Sequence, residues 1–280
     1  MTTKRSQQNH HSVRIGAASL VVTAKDKLAG NCYSRLLDFC EKHLPGCGCQ
    51  VVLLPEMYEH QPDDVQSIRG PIAKAFGAIA KKNNLWLIAP LSEKGPKKPY
   101  ISIMVINPSG KVVHVQRKVH LAPGEHKNHA AGKEFKTFPL PFGDAGIMTC
   151  YDNQFPESSR CLAVQGARMI FFPSYGDLAK PHRNAARCLD NHVWLAHASI
   201  LDASCNISLK KFDQGSIRAP DGKIQVATGS KAGLAVLDIA LDKNGQLERW
   251  TSKDSIGYSE SYLNQRLPKT YSSLCRPRKK

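Results

Sequence analysis

Three residues of complementary chemistry, Glu56, Lys118 and Cys150, stand in comparable places along the chain, each at or just beyond the end of an apolar run. A thiol is a poor nucleophile until it loses its proton. A nearby carboxylate can take that proton, and a nearby ammonium can stabilise the thiolate. Such a set suits acyl transfer from carbon to sulfur, with the lysine also placed to hold an oxyanion. Taken singly, each has a plainer reading. A cysteine ending a buried strand is commonly a small apolar filler, and a Lys or Glu is commonly solvated surface. Separation along the chain does not itself show that the three meet.

The segment around the cysteine, residues 144–157, reads DAGIMTCYDNQFPE. Its small and apolar residues 145–148 suit a buried strand, where alternation is not required. Pro156 suits the first position of a helix, and Glu157 complements the helix's positive end. After a Gly166 stop, residues 169–172 form a second apolar run. A strand, helix, strand unit of this kind leaves Cys150 at a strand's carboxyl end, where open α/β sheets gather ligands.

The other elements follow from periodicity. Residues 13–22 read as a buried strand. Residues 33–44 read as a helix broken by Gly46 and Gly48, and residues 51–54 as a short strand ended by Pro55. A helix over 71–82, stopped by Asn83 and Asn84, precedes a strand over 85–89. Residues 101–106 and 112–115 make a hairpin around Asn107, Pro108, Ser109 and Gly110, whose chemistry suits a tight turn. A helix over 181–192 and a strand over 193–201 come next. A second hairpin, residues 216–218 and 224–227 around Pro220, Asp221 and Gly222, and a last strand over 234–239 complete the pattern. Alternating strands and helices with two hairpin joins imply a mixed sheet arrangement between outer helices.

The 280 residues, 41% of them hydrophobic, are enough for a full core. One large domain over 13–241 is expected, after a disordered arm of residues 1–12 and before a polar tail of residues 242–280 that packs on a neighbouring subunit. No run of about eighteen apolar residues is present, which speaks against a membrane partner. Nine scattered cysteines and an amino terminus without a long apolar segment favour a reduced, cytoplasmic setting. The net charge of +16 would attract polyanions. Its residues are widely spread, however, with small clusters at Lys94, Lys97 and Lys98 and at Arg276, Arg278, Lys279 and Lys280. No interleaved aromatic residues stack bases, so nucleic acid is not the expected partner. His120, His126 and His129 are close in sequence but lack carboxylate or cysteine partners at metal-ligand spacing, and no metal is expected. Cys40, Cys47 and Cys49 are too sparse for a zinc pattern. Asn191 and Trp194 read as structural.

Three blocks, VVLLPEMY, QRKVHLAPGEH and GIMTCYDNQFPESSRCLAVQGARMIFFPS, resemble the signature blocks of the nitrilase superfamily of carbon-nitrogen hydrolases, in the family's order. RCLDNHVWLAHAS and GSIRAPDGKI resemble its later helix, strand and hairpin. The resemblance implies a four-layer αββα sandwich. In it Glu56 matches the general base, Lys118 the oxyanion-stabilising lysine and Cys150 the nucleophile. Glu125 matches the second glutamate of the loop after the lysine, with Glu134 as its rival. Tyr151 would offer an oxyanion N–H, and Phe155, Ser174 and Tyr175 would line the pocket.

Where nitrile-hydrolysing members commonly carry Trp-Glu after the cysteine, this chain has Tyr151 and Asp152, which resembles the amidase and carbamoylase branches. The implied activity is a thiol amidohydrolase acting on a small amide or N-carbamoyl compound through a thioester, without metal or organic cofactor, as a homodimer or higher homo-oligomer. A nitrile hydrolase with the same residues, a silent scaffold and a polyanion binder of the same fold are the alternatives.

Overall fold

The computed structural model describes residues 12–22, 32–57, 64–175, 181–202, 214–229, 231–248 and 263–276. The first half of the chain supplies strands β1 (Ser12–Val22), β2 (Val51–Leu53), β3 (Trp86–Glu93), β4 (Tyr100–Ile106) and β5 (Val112–Arg117), with helices α1 (Cys32–His43) and α2 (Pro71–Lys82). A one-turn helix α3 (Glu125–Asn128) leads to β6 (Phe138–Leu140) and β7 (Gly143–Ile147). Helix α4 (Pro156–Val164), β8 (Met169–Tyr175), α5 (Pro181–Asn191) and β9 (Trp194–Asp202) follow. The described chain continues through β10 (Ser216–Arg218), β11 (Ile224–Ala227) and β12 (Gly233–Ala240).

The strands form one hydrogen-bonded path, β5-β4-β3-β2-β1-β9-β8-β7-β6, with β12 on β1 and the β10–β11 hairpin on β9. β1 joins the two arms: Ile15, Gly16 and Ala17 pair with β2, whereas Ser19 to Val22 pair with β9. The path folds over at this joint. One apolar cluster takes Val51, Leu53, Ile88 and Ile103 from one arm and Ala145, Ile147, Met169 and Phe171 from the other.

Strand alternation explains why the central runs are apolar without interruption. Val51 and Leu53 face the opposing arm, while Val52 and Leu54 face α1 and α2 beside Leu36, Phe76 and Ala80. Met169 and Phe171 face inward, and Ile170 and Phe172 face Leu162 of α4 and Cys188 of α5. Three apolar layers between four structural layers are the expected αββα sandwich. No helix among the described residues is long and apolar enough to cross a membrane.

Several boundaries differ from the sequence expectation. β3 runs on through Pro90 to Glu93. The Ile88 carbonyl accepts from Leu54 N–H, so Pro90, two residues on, turns its nitrogen to the same side, just past the end of β2, where no ladder bond is lost. β6, unexpected because Pro139 interrupts so short a run, lies at the edge of the path, where proline is tolerated. The packed fold extends past Leu241, the expected boundary: Leu241 bridges to Leu247, whose side chain is fully buried between the arms. Further on, Pro268–Cys275 winds as an exposed 3-10 helix rather than an irregular tail. The expected disordered arm, apart from Ser12 at the start of β1, and the last four residues of RPRKK lie outside the described residues.

The ends of β3, β4 and β5 are fastened together immediately before Lys118. Glu93 accepts from Arg117 at 2.6 and 2.8 Å and from Ser102 Oγ at 2.7 Å, and the Arg117 guanidinium stacks on Tyr100 at 4.1 Å. Burial alone would push the Glu93 carboxyl up, but the bonds from Arg117 and Ser102 hold it below its ordinary value. Glu93→Gln is therefore expected to cost about 1–3 kcal/mol of stability near neutral pH. A depressed carboxyl contributes stability above its unfolded pKa of about 4.3 and loses it on acidification, so this cost should shrink as pH falls below that value. Denaturant titrations of both proteins across that range measure it.

Candidate active site

β7 ends at Ile147, and the chain then passes through Met148 and Thr149 into a 3-10 turn over Cys150–Gln154. Cys150 thus lies three residues beyond the strand rather than on its last position. Its φ of +44° is in the left-handed region, costing a non-glycine residue about 1–2 kcal/mol. Asp152 holds the turn in that shape. Its fully buried carboxylate accepts from Thr149 N–H at 3.0 Å and from His120 N–H at 2.7 Å, with His120 Nδ1 at 2.9 Å. His120 also stacks on Phe155, ring centroids 3.9 Å apart, and Tyr151 meets Phe155 edge-on at 5.8 Å. One carboxylate thereby ties the segment after Lys118 to the turn that carries Cys150.

The charged residues converge from distant strands. Glu56, three residues past β2, is fully buried, with Oε1 2.8 Å from Lys118 Nζ and Oε2 accepting from Tyr175 N–H at 3.0 Å. Lys118, just past β5, is equally buried and also donates to Glu125 Oε1 at 2.8 Å. Glu125 opens α3, and its Oε2 accepts from Ala122 N–H at 2.7 Å. The Cys150 thiol is hydrogen-bonded to the Glu56 carboxyl and lies 3.9 Å from the Tyr175 carbonyl oxygen. Glu134 points away: its carboxylate is 62% exposed and paired with Lys136. The structure thus brings Glu125, not Glu134, to Lys118.

The four groups share two buried carboxylates, one ammonium and one thiol. Burial raises the Glu56 carboxyl above its ordinary value against the opposing pull of Lys118. Burial would lower the Lys118 ammonium, but Glu56, Cys150 and Glu125 together raise it, so it stays charged. A carboxylate with raised proton affinity in contact with a thiol, beside a fixed cation, can take the thiol's proton and hold negative charge on an adjacent atom.

β2 and β5 lie on one arm of the path, separated by β3 and β4, and β7 lies on the other, so Cys150 reaches Glu56 because the path folds over. One expectation needs correction. Ser174 does not line the site: alternation along β8 turns it to the helix side with Phe172, and its Oγ bonds His197 Nε2 at 2.8 Å. Tyr175 contributes through its backbone N–H to Glu56. His120, considered with His126 and His129 for a metal, is instead bonded to Asp152. Among the described residues no group of three or more potential ligands is placed to hold a metal ion.

Sequence reasoning missed the structural part played by Asp152, although Thr149-Cys150-Tyr151-Asp152 spells a capping box. An amide at position 152 offers one acceptor oxygen where the carboxylate offers two, so Asp152→Asn leaves an N–H of Thr149 or His120 facing an NH2. Displacement of the turn by about 1 Å is expected to lower turnover about 100-fold with the fold retained. Slower alkylation of Cys150 by iodoacetamide, with an unchanged circular dichroism spectrum, is the expected signature.

The family model described as carbon-nitrogen hydrolase matches residues 25–249. The omega-amidase NIT2 of Mus musculus is 26% identical over 223 residues, covering 72% of this chain and 80% of that protein. A protein named nitrilase from Pyrococcus abyssi is 28% identical over 217 residues, covering 71% and 81%. Among solved structures, an amidase from Nesterenkonia sp. superposes with a TM-score of 0.72 at 20% identity, covering 94% of this chain and 97% of that one. At that identity the likeness is one of fold. A mutant of that amidase shows covalent addition of the acetamide moiety of fluoroacetamide at its active-site cysteine, and another binds butyramide.

Proposed function

Since the chain belongs to the carbon-nitrogen hydrolase family, within the nitrilase superfamily, we propose that it is a thiol amidohydrolase cleaving the non-peptide C–N bond of a small amide or N-carbamoyl compound. The observation that carries this reading is the contact of Glu56 with both the Cys150 thiol and the Lys118 ammonium, all three at strand ends.

Glu56 takes the Cys150 proton, and the thiolate attacks the carbonyl carbon. The developing oxyanion is held by Lys118 Nζ and the Tyr151 N–H. Collapse breaks the C–N bond, Glu56 returns its proton to the departing ammonia or amine, and a thioester remains on Cys150. Water, deprotonated by Glu56, hydrolyses the thioester to the acid and regenerates the thiol. Glu125 keeps the Lys118 ammonium aimed at the oxyanion. Every proton moves between these side chains, the substrate and water. The amides carried by the Nesterenkonia amidase support a small aliphatic amide as the starting point for substrates.

Ammonia release over paired amides, N-carbamoyl amino acids, N-carbamoyl amines and nitriles tests this. Amide or carbamoyl compounds should turn over faster than the matching nitriles, and the reverse order would replace the reading with a nitrile hydrolase. Exposed Val164 and Leu189 on the outer helices, with Leu267 and Leu274 nearer the carboxyl end, support self-association into at least a dimer. A monomeric mass in ultracentrifugation would refute that. The absence of a disulfide at Cys40, Cys47, Cys49, Cys150, Cys161, Cys188 and Cys275 supports a reducing, cytoplasmic setting.

A further inference from the structure

Cys47, Gly48 and Cys49 form the turn between α1 and β2, at the opposite end of β2 from Glu56. The turn is fastened to β1 at both sides: Gln50 N–H donates to the Arg14 carbonyl at 2.8 Å, and Arg14 N–H donates to Gln50 Oε1 at 2.6 Å. Gly48 sits at φ +68°, which folds the chain back so that Cys49 N–H points at Cys47 Sγ, 3.4 Å away. The Cys49 thiol lies 3.9 Å from the Cys47 carbonyl oxygen and within hydrogen-bond reach of the Cys47 sulfur. Cys49 is buried, whereas Cys47 is half-exposed. Arg14, itself paired with Asp238 at 2.7 Å, lies against Gly48, where an added Cβ would come within 3.1 Å of its Nη1.

A backbone N–H aimed at the Cys47 sulfur and a nearby guanidinium both favour its thiolate, and a second thiol folded back over the same turn is placed to resolve any adduct it forms. We propose that Cys47 and Cys49 form a second reactive-thiol site, separate from Cys150, which reduces low-molecular-weight disulfides by thiol–disulfide exchange and closes to a Cys47–Cys49 disulfide. The Cys47 thiolate attacks one sulfur of the small disulfide, its S–S bond breaks, and one half leaves as thiolate. Cys49 then gives up its proton and attacks the Cys47 sulfur, expelling the second half. Two protein thiols are oxidised to one disulfide and the small disulfide is reduced to two thiols.

The proton affinities run in the same direction. The hydrogen bond from Cys49 is the main cause that pulls the Cys47 thiol down, with the Cys49 N–H and Arg14 helping against burial. Cys49 is raised chiefly by that same bond, and burial pushes Cys40 up to about 12 and also raises Cys161.

Cys161 and Cys275, both more exposed than Cys47, are internal standards. The full-length protein is treated near neutral pH with dithiobis(nitrobenzoate), and in parallel with oxidised glutathione, and modified peptides are mapped by mass. Cys47 should react at least about tenfold faster than Cys161 and Cys275. Both halves of the reagent should be released, with a Cys47–Cys49 linkage and no retained adduct. Cys49→Ser should keep one half of the reagent on Cys47, and Arg14→Gln should slow the Cys47 reaction. Reaction of Cys47 no faster than Cys161, or an adduct persisting on Cys47 while Cys49 stays free, would overturn the proposal.

Discussion

Cys150→Ala is expected to lower kcat/KM by at least about 10⁴-fold while leaving folding and substrate affinity near those of the parent protein. The rate falls because removing the sulfur removes the atom that forms the thioester. Folding is spared because alanine accepts φ +44° about as poorly as cysteine does, and the turn's shape is held by Asp152, which the substitution does not touch. Glu56, Lys118 and Glu125 keep their mutual bonds, so an unreacted amide should still bind, and calorimetry would register it. Cys150→Ser should be almost as inactive, since Glu56 would have to deprotonate an alcohol far less acidic than a thiol. Substantial residual turnover by the alanine protein would rule out the thioester route.

The fold was largely legible because its local signals agree with its layers. Pro71 and Asn83 mark both ends of α2, and the Asn107 to Gly110 turn marks the β4–β5 hairpin. The uninterrupted apolar runs at Val51 and Met169 announced strands buried on both faces, which is what an αββα sandwich requires. The site was legible as residue types at strand ends but not as a place. Whether β7 meets β2 and β5 depends on how the path folds at the β1–β9 joint, a long-range outcome on which no local pattern bears.

Positions one residue apart proved distinct for the same reason. Ser174 and Tyr175 both looked like pocket residues, yet alternation sends one hydroxyl to His197 and leaves the other residue's N–H on Glu56. Glu125 lies nearer than Glu134 to Lys118 along the chain. What distinguishes them in space is the turn at Gly124, φ +98°, which starts α3 and folds Glu125 back over the lysine.

Lys118→Met is expected to show the second large effect, on stability as well as rate. The lysine is the cation shared by two buried carboxylates, each 2.8 Å from its Nζ. Methionine keeps the length and apolar stem but leaves Glu56 and Glu125 facing each other without a counter-charge, a change expected to cost about 3–5 kcal/mol at neutral pH. Turnover should fall by at least about 10³-fold with the loss of the oxyanion's partner. The sign of the pH dependence identifies the cause. Without the ammonium's opposing pull, burial and the neighbouring Glu125 charge raise the Glu56 carboxyl in the folded state further above the unfolded value of about 4.3. A folded pKa above the unfolded one means that the native protein binds protons the unfolded chain does not, so stability is regained as pH falls through the folded pKa. The melting temperature of the variant should therefore approach that of the parent at about pH 5 and diverge from it at about pH 7. Adding Glu56→Gln should recover much of the stability by replacing one unpaired charge with a neutral amide, and should recover none of the activity. A penalty equal at both pH values would show that neutralising Glu56 and Glu125 is not what Lys118 contributes to the fold.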